Sequence, residues 1–225
     1  MRSTLRPLVA ELIGTFFLVF CGVGAAVSEL YRSGTVGFVG IAIANGVALA
    51  IGISATMAAS GGHVNPAVTI GLWSIGRIDP IKATQYVIAQ LAGAIIAVLA
   101  VKFLYPDVAG QIAIYGAPRL ATDVTVTQGI LIEAIMTFLL AFAVMGTIVD
   151  GRAPKMGGLG VGLIVVCDVL AGGQMTGAAM NPARAFAPML VGGMWTGVAI
   201  YWVGPVLGAI AAMQIYERVI MQKDS

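Results

Sequence analysis

Six apolar stretches, each close to the length that carries a helix across a lipid bilayer, constrain this chain more than any other feature. They run roughly over 8–28, 36–58, 83–104, 128–149, 157–173 and 195–216. About 20 apolar residues span the hydrocarbon, and a helix satisfies its own backbone hydrogen bonds there. The expectation is an all-α membrane protein with six transmembrane helices. Its apolar start, MRSTLRPLVAELIGTFFLVF, superficially suits a signal peptide. The apolar run continues through Ala26, however, and reads as the first span.

Charge placement orients the spans. Of the 225 residues, 10% are charged, against about 25% in a soluble domain. Arg2, Arg6, Arg77, Lys82, Arg152, Lys155, Arg218 and Lys223 fall on one side, against Arg32 and Arg119 on the other, with Lys102 near the outer end of the third span. This asymmetry puts both termini in the cytoplasm, and the cell membrane is the expected location. A net charge of +2 gives no pull toward nucleic acid; the surroundings are lipid. Cys21 and Cys167 sit inside apolar runs and are expected to be small buried hydrophobes. His63 is the one histidine, so there is no His/Cys cluster for a metal, and no cofactor is expected. No serine-protease or His-Glu-x-x-His motif is present, so an intramembrane protease, or any enzyme, is not expected.

The chain repeats itself. AELIGTFFLVF (10–20) aligns with IEAIMTFLLAF (132–142), placing Glu11 over Glu133. SGGHVNPAVT aligns with MTGAAMNPAR, and YVIAQLAGAIIA (86–97) with YWVGPVLGAIAA (201–212). Each half holds three spans, so the second half inserts upside down: an inverted 3+3 repeat with its functional centre near the midplane. The repeats are read as 1–106 and 123–225, joined by an outer loop 107–122, within one channel domain, 1–225.

Two apolar segments are too short to span: VNPAVTIGLWSIG and MNPARAFAPMLVGG. Asparagine is a favoured helix N-cap and proline a favoured first helical residue. Asn65-Pro66-Ala67 and Asn181-Pro182-Ala183 therefore start two re-entrant half-helices that meet from opposite leaflets. Each Asn oxygen is expected to cap its own helix, leaving amide donors for a lumen. The two positive helix ends would orient water and repel cations.

These paired boxes, in SGGHVNPAVT and TGAAMNPARAFAP, resemble those of the aquaporin (major intrinsic protein) family over the whole chain. DVLAGG and the run through AAMNPARAF are most similar to the branch of plant tonoplast intrinsic proteins and animal aquaporin-8, associated with water plus ammonia, urea or hydrogen peroxide. The resemblance implies an aquaporin-like fold, a homotetramer, and a selectivity filter at Asn45, Val169, Ala178 and Arg184. Dedicated water channels of the family carry a bulky aromatic and a histidine where this chain has Asn45 and Val169, which implies a wider, less aromatic filter. Ala185, where glycerol facilitators have Asp, and the pair Tyr201-Trp202 point back toward water.

Other polar residues are weighed against this frame. Glu11 and Glu133, at matched positions, are expected to accept hydrogen bonds from the re-entrant loops rather than relay protons. Asp168, next to Val169, is expected at an outer loop or a subunit contact. His63 is expected to pack its loop near the cytoplasmic mouth. The expected function is a passive channel for water and small neutral solutes, excluding protons and ions. The alternatives are a proton-coupled secondary transporter and a glycerol facilitator.

Overall fold

The computed structural model describes residues 2–112 and 114–221, leaving aside the side chains of 2–4, 108, 109 and 112. Lys223 and the side chain of Arg2, both used above for orientation, lie outside what is described. Among the described residues six helices are long and apolar enough to cross a membrane: Leu5–Tyr31, Gly37–Ser60, Pro80–Leu104, Val126–Val149, Leu159–Thr176 and Ile200–Ile220. They belong to α1 (Arg2–Tyr31), α2 (Gly37–Ser60), α4 (Pro80–Leu104), α6 (Val126–Val144), α7 (Leu159–Thr176) and α9 (Ile200–Ile215). Between them lie the short α3 (Pro66–Ser74), α5 (Asp107–Ile112) and α8 (Pro182–Gly192). A single wider turn extends α6 over Met145–Val149 and α9 over Tyr216–Ile220.

Local chemistry explains the boundaries. Asp79 caps α4 by accepting from the Lys82 amide, with Pro80 in the first turn. Thr125 and Gln128 form a reciprocal capping box at α6. Gly61 and Gly177 end α2 and α7 in the left-handed conformation, at matched repeat positions. The sixth span begins at Ile200 rather than 195, because Gly197 adopts φ +78° and breaks the run before it.

The packing is that of an inverted pair. In the first half α1 lies against α2 and α4; in the second α6 lies against α7 and α9. The halves join through α2 against α7, α3 against α9, and α4 against α8. The short helices α3 and α8 thus each seat on the last span of the opposite half. Glycines set these approaches. A side chain at Gly93 would strike the Leu12 carbonyl, and one at its repeat mate Gly208 the Ala134 carbonyl. Gly46 and Gly162 face each other at the centre, each against the other's carbonyl. Backbone cannot yield as a flexible side chain can, so Gly208→Val is expected to cost about 3 kcal/mol or more. Gly24 has nothing within 4 Å of where a Cβ would sit, and Gly24→Ala should be neutral or stabilising by up to about 1 kcal/mol. Thermal unfolding of the two variants in detergent checks the contrast.

Two expectations need correction. Cys21 and Cys167 are free and exposed, not buried; the outer surface of a membrane protein is apolar, so an apolar run does not imply an interior position. Asp168 lies in neither an outer loop nor a subunit contact. It is 2% exposed, within α7, and its Oδ2 has no hydrogen-bond partner among the described residues. The joining loop also differs from a plain connector. It folds into α5 and a tight turn at Ile114–Gly116. Tyr115 is buried there, under the Lys102 ammonium at 5.6 Å.

Candidate functional site

The two Asn-Pro-Ala segments meet at the centre of the fold. Asn65 Oδ1 accepts from the Ala67 amide at 2.8 Å. Asn181 Oδ1 accepts from Ala183 at 3.0 Å and from Arg184 at 3.3 Å. Pro66 and Pro182 stand at the first helical positions. The amide nitrogens then cross over: Asn65 Nδ2 donates to the Met180 carbonyl at 2.8 Å, and Asn181 Nδ2 to the Val64 carbonyl at 2.9 Å. Sequence reasoning left all the amide donors for the lumen. The structure spends one from each Asn on the opposite loop, leaving one N–H on each.

The carbonyls point inward because the loops adopt an unusual backbone. Val64 (φ +54°) and Met180 (φ +50°) are left-handed at matched positions, as are Gly62 (φ +66°) and Ala178 (φ +44°). For non-glycine residues such a conformation costs about 1–3 kcal/mol each. The glutamates hold it. Glu11 accepts from the Ser60 hydroxyl at 2.6 Å, the His63 amide at 2.9 Å, the Val64 amide at 2.6 Å and Gln90 Nε2 at 2.7 Å. Glu133 accepts from the Thr176 hydroxyl at 2.7 Å, the Ala179 amide at 2.9 Å and the Met180 amide at 2.7 Å. Tyr86 and Tyr201, also matched, donate to the Ser60 and Thr176 carbonyls.

Above this centre the space divides in two. A narrow lumen of about 20 Å³ is lined by Asn65, Asn181, Met180, Ala178, Ala179 and apolar side chains including Leu49 and Val165. About 10–15 Å³ of this measure holds one water, so the lumen has room for about one water at a time. An open vestibule of about 360 Å³ lies beyond, lined among others by Glu29, Phe38, Ile41, Arg119 and Gly173. Asn45, Val169 and Arg184 line both spaces and so stand at the junction between them. Ala178 faces the lumen alone. Arg184 is steadied by Nη1 donating to the Gly116 carbonyl at 3.3 Å, so the loop around Gly116 reaches this junction, a contact no local sequence signal announces. Asn45 is folded back, with Nδ2 donating to the Ile41 carbonyl of its own helix at 2.8 Å.

The remaining candidates fall elsewhere. His63 packs edge-on against Tyr86 with ring centroids 5.0 Å apart, and its Nδ1 lies 3.2 Å from the Thr69 hydroxyl. Asp168 lines neither space. Ala67 and Ala183 are fully buried behind the Asn side chains. Among the described residues no cluster of three His, Cys, Asp or Glu side chains is placed to hold a metal.

A channel built of two inverted halves, with paired half-helices meeting at a water-sized passage, is the class this arrangement defines. A family model described as major intrinsic protein matches residues 1–216. The chain is 43% identical to aquaporin TIP4-4 of Zea mays, over 96% of this chain and 87% of that protein. It is 41% identical to aquaporin TIP4-1 of Arabidopsis thaliana, over 97% and 88%. Among solved structures, the aquaglyceroporin from Plasmodium falciparum is similar with a TM-score of 0.84 and 29% identity, over 97% of both chains. The chain belongs to the major intrinsic protein family. It is an integral, multi-pass membrane protein and a passive channel for water and small solutes, not an enzyme.

Proposed function

We propose that the pore passes water in single file, admits ammonia, hydrogen peroxide and urea through a permissive filter, and excludes protons and ions. The observation that carries this reading is the junction of Asn45, Val169 and Arg184 between vestibule and lumen. Arg184 there supplies a fixed positive charge, and the starts of α3 and α8 supply two positive dipole ends. Asn65 and Asn181, each with an N–H left, orient the passing water. Asn45 and Val169 bring neither an aromatic ring nor an imidazole to the junction, which favours solutes beyond water.

Glu11 and Glu133 support the loops in this reading. Every carboxylate oxygen is already engaged by donors, which disfavours proton-coupled transport. The likeness to an aquaglyceroporin favours glycerol as a second reading; the water-sized lumen and Ala185 weigh against it. We further take the repeats as 1–106 and 123–225 with the joining loop 107–122, the assembly as a homotetramer, and both termini as cytoplasmic. For the membrane we keep the cell membrane, although the TIP-type relatives lend that choice no support.

The test is reconstitution in liposomes with stopped-flow light scattering after an osmotic jump. Shrinkage is expected to be about tenfold faster or more than in empty liposomes, a barrier lowered by ~1.4 kcal/mol. A trapped pH dye should also report accelerated alkalinisation on adding ammonia. Fast shrinkage with no gain in ammonia entry would restrict the pore to water. No gain in either would overturn the proposal.

A further inference from the structure

We infer that Phe38, packed on Gly173, forms an outer apolar sieve that discriminates among neutral solutes by their hydration before they reach the filter. This rests on the channel reading above. Phe38 lies seven residues before Asn45 on α2, which returns it to the same face of the helix. Phe38, Ile41 and Asn45 all line the vestibule. Val169 and Gly173, four apart on the neighbouring α7, line it as well. The Phe38 ring leans from α2 onto α7. A Cβ on Gly173 would lie 3.0 Å from Phe38 Cζ, 3.2 Å from Cε2 and 3.3 Å from Val169 Cγ1. The ring tip therefore rests against α7 at Gly173, one turn outside Val169, where an added Cβ would push the ring aside by a few tenths of an ångström.

Among the described residues Phe38 is also the one aromatic lining the vestibule and the lumen. At the junction itself Asn45 is small and turned back on its helix, and Val169 is aliphatic. The bulk missing from the filter is thus supplied about two turns outward. An aromatic face offers little in exchange for a solute's hydrogen bonds to water. Water, ammonia and hydrogen peroxide are compact and have little to lose there. Urea, planar and bearing four N–H donors, must shed more of its hydration beside the ring. The sieve accordingly discriminates among neutral solutes, while Arg184 deals with charge.

The experiment compares urea and water permeability in the same proteoliposomes for the parent protein, Phe38→Ala, Phe38→Leu and Phe38→Trp. Phe38→Ala is expected to raise the urea-to-water ratio about tenfold, Phe38→Leu less, and Phe38→Trp to lower it, with water changing less than about twofold. Phe38→Leu and Phe38→Trp keep an apolar side chain at the site and carry the test should Phe38→Ala fail to fold. An unchanged ratio in variants that still conduct water would refute the sieve and leave the channel reading standing. A parent protein that conducts neither water nor urea above empty liposomes would refute both.

Discussion

Glu133→Gln is expected to unfold at a distinctly lower temperature than the parent protein, with Glu11→Gln lower still. Glu133 faces three donors, and two of them are backbone amides of the loop that carries Ala178 and Met180. A glutamine keeps one oxygen and turns an NH₂ group toward the rest, so at least one buried N–H loses its acceptor. Each stranded donor costs about 1–3 kcal/mol, and the left-handed residues beside it lose their restraint. Glu11 faces four donors, so its replacement strands more. Asp123→Asn, at an exposed position, serves as the control and should not shift the transition. Thermal unfolding in detergent, followed by water flux per folded protein, checks the ordering. A Glu133→Gln protein that melts normally but loses flux would revive the proton-relay alternative.

Arg184→Val should open the pore to cations while water still passes. Arg184 stands at the junction of vestibule and lumen and is steadied by the Gly116 carbonyl. A unit charge about 4 Å from a passing cation is worth on the order of 4 kcal/mol at the effective dielectric of a partly solvated site. The dipole ends of α3 and α8 remain, so the whole barrier does not vanish. Proton entry under an imposed potential is expected to rise about tenfold or more. Liposomes with a trapped pH dye read it directly. Unchanged proton entry at full water flux would show that the half-helix ends alone exclude ions.

What the sequence disclosed, and what it hid, follows from the range of the forces involved. The starts of the half-helices are local matters of an Asn cap and a Pro in the first turn, so Asn65-Pro66 and Asn181-Pro182 could be read from a few residues. The six spans needed only length and apolarity, and the pairing of Glu11 with Glu133 needed only the repeat. Helix rotation is another matter. In a soluble helix the polar face marks the outside; here lipid and core both take apolar residues, so the pattern gives no direction. That is why the sequence alone points Asp168 to a loop or contact rather than the interior, and Cys21 and Cys167 inward rather than out. The filter positions came from resemblance, not from any signal in Asn45 or Val169. Phe38 had a usable signal, its spacing of seven from Asn45, but the glycine opposite becomes meaningful only once α2 and α7 are seen face to face. The descent of the 107–122 loop to Arg184 is a long-range event, without local trace.

The crossed bonds from Asn65 to Met180 and from Asn181 to Val64 bear on how the molecule is made. The chain is synthesised from its N-terminus, and the first half can settle in the bilayer while Met180 and Asn181 are still unmade. Until they arrive, one N–H of Asn65 lacks its partner and the Val64 carbonyl has only the Thr15 hydroxyl at 3.4 Å, so this region must stay hydrated, since bare polar groups in hydrocarbon are costly. The first half therefore matures as a wet, open notch. The passage acquires its final bore only once Met180 and Asn181 are in place, so its width belongs to the joined halves and not to either alone.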